Sequence, residues 1–131
     1  MKNNVDLTKL EDLSMAVMNL ISIEEHLAFT AMKTKKEEYL QVLDSVRTLR
    51  KSLLKKLVKN TEGELWCISK HLLATSMRLM ETSTKYINND NKQALEFAKN
   101  AHDLYGLFWF LQKIGEKNVR GIKLKSKEME R

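Results

Sequence analysis

Four predicted helices place two carboxylates, a histidine and an arginine at a similar height in a bundle, with a second arginine one turn away. Glu24 falls on the apolar stripe of the first predicted helix, where an ionised carboxylate is strongly disfavoured unless a cation, a histidine or a metal compensates it. If successive helices alternate in direction, the rise of about 1.5 Å per residue places several polar residues in a layer about 9 Å thick. Glu24, Arg47, Glu81 and His102 fall within this thickness, and Arg50, one turn from Arg47, completes the candidate polar layer.

Two functions are open to this layer. Interior carboxylates and imidazoles bind metal in di-iron bundles, but those sites carry Glu-x-x-His on two helices, and this sequence contains no Glu-x-x-His. Arg50 interrupts the apolar stripe of the second predicted helix, so Arg50 or the nearby Arg47 can neutralise Glu24 instead. Such an ion pair maintains the register of two helices at little net gain in stability. We therefore predict an ion pair and no cofactor.

Cys67 and His71 are four residues apart and share one helix face, which is a spacing that can present two ligands to zinc. A structural zinc requires four ligands, and His26 and His102 project differently, so we expect no metal site. We expect Cys67 to be a small buried hydrophobe and His71 to lie at the boundary of the core. Ser69 or Cys67 beside His71 lacks a third catalytic group, and the four glycines are isolated, so we expect a non-enzymatic protein.

Basic residues are concentrated at the end of the second helix and at the end of the chain. The net charge is +6, and residues 35–60 carry eight positive and three negative charges. Clustered lysines bind nucleic acid by releasing counterions from its phosphates, although cations at helix C-termini are also expected from the helix dipole. No aromatic residues are interleaved for stacking on bases. The candidate basic end comprises Lys51, Lys55, Lys56, Lys59, Lys113, Lys117 and Arg120.

The fourth predicted helix is apolar almost all the way round between Leu104 and Leu111. A single seam cannot bury such a helix, because side chains on its other faces stay in water unless something else covers them. Leu107, Trp109 and Phe110 are therefore expected in a contact with a second copy or a protein partner. The alternative is that the C-terminal tail folds back over them.

The elements that position these residues are four long helices. Proline is absent and only four of the 131 residues are glycine, which is typical of uninterrupted helices joined by short loops. Asp6 is the predicted N-cap of the first helix, and residues 88–91 are the clearest loop, because Asn and Asp tolerate left-handed backbone. The third helix is predicted to pack through Leu65, Ile68, Leu72, Thr75, Leu79, Thr82 and Tyr86.

Together these patterns predict an all-α, single-domain protein. Short loops favour antiparallel neighbours, so we predict an up-down-up-down four-helix bundle over residues 1–116 and a basic, flexible C-terminal tail over 117–131. The predicted helices cover about 7–33, 36–60, 62–88 and 91–115.

The single cysteine and an N-terminal segment without the apolar core of a secretion signal indicate a cytoplasmic protein. Its most apolar run is about 8 residues, against roughly 20 for a membrane-spanning helix, so we expect no membrane association. The favoured function is a protein-interaction or structural module, most simply a homodimer. The alternatives are weak nucleic-acid binding through the basic end and, third, metal or ligand binding by the polar layer.

Overall fold

The computed structural model is helical throughout its regular structure. It describes residues 2–61 and 63–129, with side chains described for 7–61 and 63–115. The helices are α1 (Lys2–Thr34), α2 (Glu38–Leu54), α3 (Glu64–Tyr86) and α4 (Asn91–Met129), and the described residues contain no strand. The predicted all-α fold class is confirmed. The pairs that pack together, α1 with α2 and α3 with α4, are consistent with a four-helix bundle.

The chain divides into two compact units, Met1–Leu57 and Val58–Arg131. The first unit contains the α1–α2 hairpin, and the second contains the α3–α4 hairpin. Connections of three and four residues join the helices within each hairpin. Helices joined by such short connections pack as antiparallel neighbours.

Left-handed residues make both hairpin turns. Lys35 follows α1 with φ 57°, and its N–H donates to the carbonyl of Ala31 at 2.8 Å. Asn88 follows α3 with φ 71°, and its N–H donates to Oδ1 of Asn91 at 2.7 Å. Asp90 then caps α4 by accepting the N–H of Gln93 on its Oδ1 at 3.1 Å. The predicted Asn-rich loop at residues 88–91 is confirmed.

Three helix boundaries differ from the predicted ones by more than two residues. α1 begins at Lys2, so Asp6 lies inside the helix and is not its N-cap. α2 ends at Leu54 instead of residue 60, because the N–H groups of Lys56 and Leu57 bond to carbonyls three residues back, not four. α4 continues to Met129, beyond the predicted end at residue 115. Residues 117–129 of the predicted tail are therefore helical, and their side chains lie outside the described residues.

The start of α3 depends on a glycine. Gly63 is the N-cap residue, with φ 65° and ψ −151°, and makes no side-chain cap. This backbone conformation is strained for residues with a Cβ and ordinary for glycine. Gly63 therefore sets where the helix begins.

Two seven-residue repeats hold α3 against α4. On α3 the buried residues are Leu73 and the repeat Ser69, Ser76 and Ser83, and on α4 they recur as Ala94, Ala101, Phe108 and Gly115. The hydroxyl of Ser83 donates to the carbonyl of Ala94 at 2.6 Å, and that of Ser76 donates to the carbonyl of Ala101 at 2.8 Å. As the residue number falls on α3 it rises on α4, so the helices are antiparallel. The small side chains let the serine hydroxyls reach the backbone of the facing helix.

The serine repeat corrects the predicted packing face of α3. Ile68 and Thr75 are exposed, although both belong to the predicted seam. Each lies one residue before a buried serine, which rotates the observed seam by about 100° from the predicted one. A search for apolar residues passes over serine, which fills this seam because it is small and can donate to a carbonyl.

Candidate functional site

Glu24 and Arg50 form a buried ion pair between α1 and α2. Nε of Arg50 donates to Oε2 of Glu24 at 2.8 Å, and Nη2 donates to Oε1 at 3.0 Å. The side chains are 13% exposed for Glu24 and 4% exposed for Arg50. Both carboxylate oxygens are engaged in the bidentate geometry that makes arginine–carboxylate pairs strong and directional. The ion pair predicted for Glu24 is thus present, with Arg50 as its partner.

The other members of the candidate polar layer are exposed. Arg47 lies on the solvent side of α2, and Glu81 and His102 lie on the solvent sides of α3 and α4. The described side chains include no group of three or more His, Cys, Asp or Glu residues that could hold a metal ion. Of the predicted layer, the structure brings together Glu24 and Arg50. Their arrangement neutralises charge and aligns two helices.

Cys67 and His71 are both exposed, so the expectations that Cys67 is a buried hydrophobe and that His71 lies at the boundary of the core are wrong. The reason is their position relative to the serine repeat of α3. Each lies two residues from the buried Ser69, which is about 200° around the helix and hence on the opposite side. The seven-residue spacing of the serines is the sequence pattern that predicts this exposure.

A stripe of exposed apolar side chains runs along α4. Leu107, Phe110 and Ile114 are 51%, 59% and 39% exposed. Their spacings of three and four residues place them on one face of the helix. We call these three residues the α4 apolar stripe. The contact predicted from the sequence includes Leu107 and Phe110 but not Ile114. Continuing the spacing of three and four residues beyond Phe110 would have included Ile114.

Trp109 does not belong to this stripe. It is half-buried and makes edge-to-face contacts with Tyr105 and Phe108, with ring centroids 6.0 and 4.9 Å away. Such contacts stabilise aromatic pairs beyond the area they bury. The Trp109 ring is therefore already partly covered by neighbours on its own helix.

The fold-back alternative for these residues is not compatible with the backbone. Residues 115–129 continue α4 as one helix. A straight continuation of a helix cannot cover the side chains of its own preceding turns. Residues 117–129 therefore do not lie over the α4 apolar stripe.

The described members of the candidate basic end are exposed on their own units. Lys51, Lys55, Lys56 and Lys59 lie along and just after the last turn of α2, and Lys113 lies on α4. The side chains of Lys117 and Arg120 are outside the described residues. Lys51, Lys55 and Lys56 belong to the first unit, whereas Lys59 and Lys113 belong to the second.

Within the described chain, every helix is too short or too polar to cross a bilayer. The sequence matches no protein-family model and no curated protein, and the structure matches no solved structure.

Proposed function

We propose that this protein is a non-enzymatic interaction module that self-associates through the α4 apolar stripe. The observation that carries the proposal is the exposure of Leu107, Phe110 and Ile114 on one face of a helix whose other face already packs against α3. Burying apolar surface contributes about 25 cal/mol per Å². An apolar stripe that stays in water therefore favours association.

A two-fold arrangement fits the spacing of the stripe. In a symmetric dimer the same patch is used by both copies. If two α4 helices pack antiparallel about Phe110, Leu107 of one copy faces Ile114 of the other, because these residues are three before and four after Phe110. Spacings of three and four are those of antiparallel helix pairs in bundles. The stripe is thus complementary to itself.

The proposal includes a cytoplasmic location. The single cysteine is an exposed thiol, and a reducing compartment keeps such a thiol from forming disulfides between copies.

Sedimentation equilibrium or light scattering at several protein concentrations tests the proposal. The wild-type mass is expected to approach that of a dimer as concentration rises. Phe110→Asp is expected to remain monomeric, because it places a charge at the centre of the apolar contact. Leu95→Asp is the matched control, since Leu95 is 73% exposed on the same helix but lies about 120° around it from Leu107.

Two outcomes would contradict this function. A wild-type protein that stays monomeric at every concentration removes self-association. If the Phe110→Asp and Leu95→Asp variants lose the dimer equally, the α4 apolar stripe is not the site of self-association. Circular dichroism of both variants establishes that they remain helical.

A further inference from the structure

Three cations stand in a line on the exposed side of α2. Arg47, Lys51 and Lys55 are separated by four residues each and all are exposed. Lys55 is the C-cap residue and keeps helical backbone angles, φ −58° and ψ −28°, so it continues the same spiral. Four residues advance about 6 Å along a helix and about 40° around it, so the three side chains follow a line about 12 Å long. We call these three residues the α2 basic row.

The charge of this row is not neutralised within the described structure. Residues 45–61 contain six cations and no acidic residue. One of the six, Arg50, turns inward and pairs with Glu24, whereas the described residues form no ion pair with the row. The exposed Lys56, in the same unit, adds to the positive charge beyond its C-terminal end. The interior and exterior cations of α2 thus have separate roles.

The helix dipole accounts for part of this row. Cations are favoured near the C-terminus of a helix, but the effect falls off within the last turn. Lys51 is in the last turn of α2, and Arg47 lies a full turn earlier. The dipole therefore explains Lys51 and Lys55 but does not extend to Arg47.

The surroundings of the row favour a linear polyanion over a lipid surface. The side chains that border it along α2 are the exposed Asp44, Thr48 and Ser52, of which one is acidic, two are neutral and polar, and none is apolar. An interfacial membrane helix inserts apolar side chains next to its cations. The row contains no aromatic ring that could stack on bases. Its contacts with nucleic acid would therefore be made to phosphates and would not depend on base sequence.

We propose that the α2 basic row binds the phosphodiester backbone of nucleic acid, with Arg47, Lys51 and Lys55 each contacting a phosphate. Affinity then comes from counterion release and falls steeply with salt. This function uses a different hairpin from the α4 apolar stripe. A test of nucleic-acid binding is therefore independent of a test of self-association.

Fluorescence anisotropy with a labelled mixed-sequence DNA duplex, measured from low to physiological salt, tests the proposal. Three phosphate contacts predict a slope of about −3 in a plot of log affinity against log salt. The double variant Lys51→Glu/Lys55→Glu is expected to reduce the slope by about 2 and to weaken binding at low salt about ten-fold or more. Lys85→Glu/Lys92→Glu makes the same change in net charge at exposed positions of the other unit, and is expected to bind like the wild type.

The same experiment has outcomes that overturn the proposal. Absence of duplex binding by the wild type at low salt removes nucleic acid as the ligand. Equal weakening by the two double variants attributes binding to overall charge and removes the row. A wild-type protein that sediments with anionic phospholipid vesicles but does not bind the duplex assigns the row to lipid headgroups, which also overturns it. Circular dichroism checks that each variant is folded.

Discussion

Arg50 of α2 engages both carboxylate oxygens of Glu24 on α1, so the two helices are held at one register by a pair of hydrogen bonds of 2.8 and 3.0 Å. Both groups are largely removed from water, with side chains 4% and 13% exposed. The attraction between buried charges mainly offsets the cost of desolvating them. The pair therefore specifies alignment more than it adds stability.

This balance predicts different results for single and double substitutions. Arg50→Met leaves Glu24 without its partner and is expected to destabilise the protein by about 3–5 kcal/mol. Glu24→Leu/Arg50→Met removes both charges and is expected to be near wild-type stability or above it. Urea unfolding followed by circular dichroism measures these differences. Arg47→Met, at an exposed position on the same helix, is the control and should change stability by less than about 0.5 kcal/mol.

A double variant as unstable as Arg50→Met would contradict this account. It would mean that the ion pair supplies net stability beyond the cost of desolvation. Coupling between the two positions is read from the full cycle of both single variants and the double variant.

The sequence predicts the helical class, the Asn-rich turn and a buried cation for Glu24, because these follow from local propensity and from the cost of an isolated charge. It left Arg47 and Arg50 as alternatives for that cation. They lie three residues apart, so a shift of helix register by one turn exchanges them. The structure resolves this choice because Arg50 is on the face of α2 that packs against α1.

The face of α3 was harder to predict because three of its four buried residues are serines. Polar residues are normally assigned to the solvent side of a helix. Ser69, Ser76 and Ser83 therefore did not contribute to the apolar pattern from which the packing face of α3 is predicted. Their hydrogen bonds to α4 exist only after the helices pair. The expectation that Cys67 is buried rested instead on the general tendency of free cysteine, whereas its exposure follows from its position opposite Ser69.

The serine contacts predict the cost of changing Ser76. Ser76→Ala removes the hydrogen bond to the Ala101 carbonyl and is expected to cost about 1 kcal/mol. Ser76→Leu forces a larger side chain between closely packed helices and is expected to cost a further 1–3 kcal/mol or so. Thermal unfolding measures both changes. The control is Ser45→Ala, since Ser45 is exposed and its hydroxyl donates to a carbonyl of its own helix.

If Ser45→Ala lost as much stability as Ser76→Ala, the hydrogen bond between α3 and α4 would contribute no more stability than one within a single helix. A Ser76→Leu variant as stable as wild type would show that the α3–α4 seam has room for larger side chains.

The ion pair of Lys99 with Asp103 predicts a pH effect in the alkaline range. The hydrogen bond from Lys99 to Asp103, and then the negative charge of Asp103, raise the pKa of Lys99 above its ordinary 10.5. Because the folded pKa is raised, this contribution is fully present below pH 10.5 and is lost as pH rises through the folded value. Both side chains are exposed, so the effect on stability is small.

Nuclear magnetic resonance titration of the Lys99 side chain measures this directly. Asp103→Asn is expected to lower the pKa of Lys99 towards 10.5, because both of the raising interactions are weakened. Glu96→Gln is the control, since Glu96 is exposed three residues away and is not the Lys99 partner. A Lys99 titration that is the same in wild type and Asp103→Asn would contradict the pair in solution.

Two glycines of α4 make a matched test of how closely that helix packs. A Cβ at Gly106 would meet nothing within 4 Å, whereas a Cβ at Gly115 would lie 2.5 Å from Cδ2 of Leu65 on α3. Alanine is favoured over glycine inside a helix by about 1 kcal/mol, so Gly106→Ala is expected to raise the free energy of unfolding by about that amount. Gly115→Ala gains the same helix propensity but must displace Leu65, so its stability is expected to fall below that of Gly106→Ala. Equal gains from the two substitutions, measured by urea unfolding, would show that the Leu65 side chain makes room for the added methyl group without cost.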